Sequence, residues 1–90
     1  MNDKRRKELH ALIDRLRAAA DESSNLYTDF SITVDEEREA FENMPEGLQQ
    51  SEKGEATSEG LNTLESALGM LDSIMDDFNQ IADDIQETLD

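Results

Sequence analysis

Apolar residues recur along this chain in alternating steps of four and three, the repeat that places them on one stripe of an α-helix. From Leu9 the walk visits Leu9, Ile13, Leu16, Ala20, Ser23, Tyr27, Phe30, Val34, Glu37, Phe41 and Met44, and nine of these eleven positions are apolar. In the second half the same walk visits Leu61, Leu64, Leu68, Leu71, Met75, Phe78, Ala82, Ile85 and Leu89, all nine of them apolar. A β-strand needs a period of two, which neither half shows. The pattern predicts an all-α chain with two long helices, over residues 3–44 and 57–89, joined by a linker at 45–56. Within the first helix, Ser23 to Val34 is rich in Ser, Thr and Asn, which favour caps and turns. The seam keeps its phase there, so the expectation is a continuous helix with a soft middle.

The junction reads Asn43-Met44-Pro45-Glu46-Gly47. Proline disfavours the α conformation in the residue before it, which ends the first helix near Met44. Ser51 or Thr57 is placed to cap the second. Two matched helices on so short a link fold back into an antiparallel, coiled-coil-like hairpin. Side-chain size selects the register. Pairing positions that sum to about 98 sets Leu9 by Leu89, Ile13 by Ile85 and Val34 by Leu64, with small Ala20 opposite bulky Phe78. A shift of one heptad strands Leu9 and Ile13.

A third apolar position recurs at the residue before each inner "a" site, the heptad "g" position. It holds Leu12, Ala19, Leu26, Thr33 and Ala40 in the first helix and Ala67, Ile74 and Ile81 in the second. In an antiparallel pair the two g columns share one flank. A lone hairpin has no use for an apolar flank, whereas a four-helix bundle has. The expectation is a homodimer through Leu12, Leu26, Ala67, Ile74 and Ile81; the alternative is a kinked monomer that covers its own flank.

Charge adds orientation. The chain carries 23 acidic and 8 basic residues among 90, a net of −15. Residues 1–20 balance at +3, and residues 21–56 and 57–90 at −9 each. Helix dipoles favour acids at N-termini and bases at C-termini. The first helix breaks this at both ends, with Lys4, Arg5, Arg6 and Lys7 at its start and Glu36, Glu37, Glu39 and Glu42 at its finish. Antiparallel folding brings the basic start against the acidic finish of the second helix; the loop end has no such relief.

Candidate chemistry is sparse. The one histidine, His10, falls on an outer face, and no cysteine supplies a thiolate, a disulfide or a metal ligand. Paired carboxylates perform acid–base work in dry pockets, which a two-helix rod does not offer. No calcium-loop or phosphate-cradling glycine pattern occurs. The expectation is therefore no enzyme, no metal and no cofactor. Asp76, Asp77, Asp83 and Asp84 form an outward acidic ridge, a solvated face at its plainest and a partner surface at its most specific. The Lys4–Lys7 run is too short and too outweighed by acid for direct nucleic-acid binding. No apolar run approaches the roughly 20 residues that cross a bilayer. Met1 to Arg6 is charged with no apolar segment behind it, so the expected location is the cytoplasm.

Residues 36–56 contain, at 39–55, the string E-A-F-E-N-M-P-E-x-L-Q-x-S-E-K-G-E. It resembles a family of small acidic proteins encoded by bacteriophages and prophages, where it joins two predicted helices. The resemblance spans about twenty residues; the flanking helices match in periodicity and acidity only. It implies a setting, a viral accessory protein inside a bacterium, and transfers no functional residue. Physically, Phe41, Met44 and Leu48 are placed to close the loop end of the core, with Asn43 and Pro45 ending the helix and Gly47 and Gly54 allowing tight turns. The string is then a structural hinge or, alternatively, a partner-binding tip.

Two functions remain. One is inhibition of a host nucleic-acid-binding protein or defence system by an acidic DNA mimic. Duplex DNA carries a charge per roughly 1.7 Å of axis; arms of about 35 residues make a hairpin about 50 Å long, with one net charge per about 3.5 Å, and an overlapping dimer approaches the DNA value. The other is a structural adaptor or chaperone that holds a protein partner through the apolar flank or the loop tip.

Overall fold

The computed structural model describes all 90 residues as an antiparallel helical hairpin. Helix α1 runs Asp3–Glu42, a single turn α2 runs Glu46–Gln49, and α3 runs Glu52–Leu89. The two long helices pack along one another into a rod of 68 × 16 × 15 Å. This exceeds the expected 50 Å, because the arms are 40 and 38 residues long.

Helix α1 is continuous through its polar middle. Ser23, Thr28 and Thr33 donate their hydroxyls to the carbonyls of Ala19, Ser24 and Asp29, four residues back, at 2.8, 3.1 and 3.4 Å. The side chains that compete with the helix elsewhere are thereby absorbed into it. Asn2 caps its start, Oδ1 accepting from the Arg5 N–H at 2.9 Å.

The core lies on the expected stripe. Ile13, Ala20, Ser23 and Val34 of α1 and Leu61, Ala82 and Leu89 of α3 are buried. All nine seam positions of α3 are at least half-covered; on α1, Tyr27 and Glu37 fall outside the covered stripe. Near the open end, Ile13, Ala82 and Leu89 cluster with Leu9, Leu16 and Ile85. Leu9 and Ile13 thus have partners, as the size-matched register requires and the one-heptad shift does not. The Arg6 guanidinium closes that end by donating to the Leu89 carbonyl at 2.9 Å.

The linker differs from expectation. Helix α3 starts at Glu52, not at 57, with Ser51 as its cap, Oγ accepting from the Gly54 N–H at 3.2 Å. Thr57 donates instead to the Lys53 carbonyl at 3.0 Å, inside the helix. The seam continues backward from Leu61 through half-buried Thr57 to buried Gly54. Helix α1 ends at Glu42, where the Asn43 N–H donates to the Glu39 carbonyl at 3.0 Å and the Met44 N–H to the Phe41 carbonyl at 3.1 Å. Pro45 precedes α2, its carbonyl accepting from Leu48 and Gln49 at 2.8 and 3.1 Å. Phe41 and Met44 are half-buried, but Leu48 is 51% exposed and does not help close the core. Gln49, which the sequence did not single out, ties the tip together. Its amide reaches the carbonyls of Phe41, Glu42 and Met44 at 3.0, 3.3 and 3.1 Å, and those of Glu42 and Met44 have no backbone donor.

Neither Gly47 nor Gly54 has a positive φ, so neither supplies the conformational freedom expected of it. Gly54 serves close approach: a Cβ there would drive into the backbone carbonyl oxygens of Leu48 and Gln49. These belong to the main chain and move only if α2 moves. Gly54→Ala should therefore destabilise the hairpin by about 1–3 kcal/mol, the usual cost of overpacking. Gly69, where a Cβ would meet nothing within 4 Å, is the contrast: Gly69→Ala should stabilise by about 0.5–1 kcal/mol through helix propensity. Thermal melts of the two variants check the pair, and a Gly54→Ala protein that melts with wild type would show that the α2 packing is not tight.

Candidate functional site

The two flanks of the hairpin are chemically opposite. On one side stand the residues after each inner "d" position, and they are polar: His10, Arg17, Ser24, Ser31 and Arg38 on α1, and Glu65, Asp72, Asn79 and Gln86 on α3. This flank is tied across. Arg17 donates to Asp83 Oδ1 at 2.7 Å and to Asn79 Oδ1 at 3.4 Å. Arg38 donates from Nε and Nη2 to Glu65 Oε1, and from Nη1 to Asp35 at 2.8 Å. Its guanidinium is held above the ordinary arginine pKa, first by the hydrogen bond it donates to Glu65 and further by Asp35, against the opposing effect of desolvation. The pairs are exposed, so each adds under about 1 kcal/mol; they fix which side of the hairpin is closed.

The other flank has no such ties. Leu12, Leu26, Ile74 and Ile81 are exposed along it, between 42% and 48%, and Ala67 is half-buried. Met70, next to this column, is more exposed still. Two shallow hollows lie here: an apolar groove near the open end lined by Leu12, Arg15, Leu16, Ala19 and Ile85, and a second at mid-rod lined by Ser66, Gly69, Met70, Ser73 and Ile74. A third, more polar hollow sits under the loop among Phe41, Gln49, Gln50, Glu55, Ser58 and Glu59. None of these hollows holds His10, which is exposed at the open end. No group of three or more His, Asp or Glu side chains gathers closely enough to hold a metal ion. No helix is long and apolar enough to cross a membrane.

Asp76, Asp77, Asp83 and Asp84 are all exposed. Seven-residue spacing sorts them into two columns, Asp76 with Asp83 and Asp77 with Asp84, about 100° apart around α3. The columns are not equivalent. Asp83 is neutralised by Arg17, Asp84 accepts from the Gln80 amide at 2.9 Å, and Asp76 and Asp77 make no side-chain bond. Every acidic side chain of the protein is exposed, and only Asp35, Glu65 and Asp83 are in ion pairs. Twenty of the 23 carboxylates therefore face solvent without a cation.

No protein-family model, curated protein or solved structure matches this chain.

Proposed function

We propose that this chain is a non-catalytic accessory protein of phage type that binds and inhibits a basic nucleic-acid-binding protein of a bacterial host, offering its acidic surface in place of DNA. The observation that carries this reading is the set of twenty carboxylates without a cation, spread along a straight rod. A surface of that kind attracts a basic groove over long range and repels nucleic acid itself. The resemblance of the 36–56 string to phage-encoded acidic proteins supplies the setting, and with it the bacterial cytoplasm as the place of action.

Charge density makes the homodimer part of this reading. A net −15 along 68 Å is one charge per about 4.5 Å, sparser than first expected because the rod is longer. Two copies side by side, joined through Leu12, Leu26, Ala67, Ile74 and Ile81, would carry one per about 2.3 Å, close to the roughly 1.7 Å of duplex DNA.

The open flank and exposed Leu48 at the tip favour a second reading, a structural adaptor or chaperone that grips a protein partner through apolar contact. A pull-down from bacterial lysate across a salt series, with duplex DNA as competitor, separates the two. The mimic should capture a basic nucleic-acid-binding protein that salt elutes and DNA displaces. A partner that stays bound in high salt and ignores DNA would overturn the mimic reading in favour of the adaptor.

A further inference from the structure

We propose that the open flank is covered by a second copy of this chain lying antiparallel to the first, about a two-fold axis at mid-rod where Leu26 meets Leu26 and Ile74 meets Ile74. The inference rests on the homodimer reading above and adds its geometry: α1 against α1, α3 against α3, and each loop end beside the other copy's open end.

Exposed area points to a second copy. The chain exposes 6530 Å², whereas a compact monomer of 10.2 kDa exposes about 5,300 Å². The excess, about 1,200 Å², exceeds the roughly 800 Å² per partner that a stable interface covers. The deficit of burial is also localised. No residue of α1 between 24 and 33, and none of α3 between 62 and 81, is buried. Leu26, Tyr27, Met70 and Ile74 are exposed there together, near the midpoints of both helices.

Side-chain volume selects the orientation. The flank positions of α1 are 12, 19, 26, 33 and 40, symmetric about Leu26; those of α3 are 60, 67, 74, 81 and 88, symmetric about Ile74. An antiparallel copy sets Leu12 against Ala40, Ala19 against Thr33, Ile81 against Ala67 and Thr88 against Gly60. The large Leu12 and Ile81 each meet an alanine, while the large pairs Leu26–Leu26 and Ile74–Ile74 come together only at the axis. A parallel copy would instead set α1 against α3, with Leu26 on Ile74 but Ala40 on Gly60 and Thr33 on Ala67, leaving a void at the loop end.

Charge selects the same way. Residues 35–65, around the loop, hold ten acidic and two basic groups, a balance of −8. The open end, residues 1–10 and 83–90, holds six acidic and four basic, a balance of −2. Parallel packing lays the two −8 ends side by side; antiparallel packing separates them by the length of the rod and gives each a neighbour that carries the Lys4–Lys7 cluster.

The absence of cysteine allows single-site spin labels. Gly47→Cys labels the loop tip, where nothing lies within 4 Å, and Asn25→Cys labels the exposed outer face at mid-rod. Pulsed dipolar spectroscopy of each labelled protein should give a distance near the 68 Å rod length for Gly47→Cys, and one within about 30 Å, a few helix spacings, for Asn25→Cys. Short distances at both sites would overturn the antiparallel arrangement while leaving the dimer standing. Long distances at both would overturn side-by-side packing. No dipolar signal at either site, with both proteins sedimenting as monomers, would overturn the homodimer reading itself.

Discussion

Replacing Ile74 and Ile81 together with glutamate is expected to turn the proposed dimer into a helical monomer. Full burial of an isoleucine side chain is worth about 1.5–3 kcal/mol. These two are already about half-covered within the hairpin, at 42% and 47% exposure. The remaining half, taken over four side chains in a dimer, amounts to about 3–6 kcal/mol, roughly a 10²- to 10⁴-fold weakening of association. Glutamate adds the cost of desolvating new carboxylates beside Asp77 and Asp84, with no lysine or arginine in α3 after Lys53 to receive them. The hairpin itself should persist, because Ile74 and Ile81 lie outside the Ile13–Ala82–Leu89 cluster and glutamate is a good helix former. Sedimentation equilibrium and circular dichroism measure the two effects separately. Ile32→Glu is the matched control: Ile32 is 54% exposed but lies on the outer face of α1, so its change should leave the dimer intact. A wild-type protein that sediments at 10.2 kDa at high micromolar concentration would remove the dimer from consideration.

Those two isoleucines also show what was legible in the sequence. A heptad stripe makes a helix, its a and d positions a core and its g column a flank, because three to four residues per turn is a geometric repeat that survives any detail of packing. The hairpin, its register and the exposure of Leu12, Leu26, Ile74 and Ile81 were readable for that reason. The start of α3 was not. The run of apolar seam side chains starts at Leu61, yet the seam reaches back to Gly54, which packs closely because it has no side chain. Gln49 carries no sequence signal for a related cause: its role is to satisfy carbonyls at the end of α1, and only the fold-back of α2 brings it near them. Leu48 departs from its expected place in the core, since an apolar residue on a single turn has no fixed face. The contrast between flanks lay half in view. The apolar column was periodic, but Arg17 and Arg38 read as ordinary surface charges until the register set them across from Asp83 and Glu65.

Changing Asp76, Asp77, Asp83 and Asp84 to asparagine is expected to slow association with the host partner markedly, about tenfold or more at low salt, if the acidic surface acts as a DNA mimic. The substitutions take the net charge from −15 to −11, a modest fraction of the total. They also clear the outer face of α3 over two turns, and a basic groove responds to such local density. The fold should tolerate them. Asparagine and aspartate differ little in helix propensity. All four positions are exposed, and removing negative charge toward the C-terminus of α3 relieves its dipole. The one structural tie at risk is Arg17 to Asp83, which an asparagine carbonyl can still accept, and circular dichroism checks that helicity holds. Residual binding should depend less on salt, because fewer counterions are displaced when the partner's lysines and arginines dock. The adaptor reading expects the reverse: little change from the four asparagines and a large loss from altering Leu26 and Ile74. Since those two residues also sit at the proposed dimer axis, sedimentation must accompany that arm, so that a lost dimer is not mistaken for a lost partner contact. A four-asparagine protein that associates as fast as wild type at every salt concentration would mean that the partner does not dock through this ridge, and would move the search to the apolar flank and the Leu48 tip.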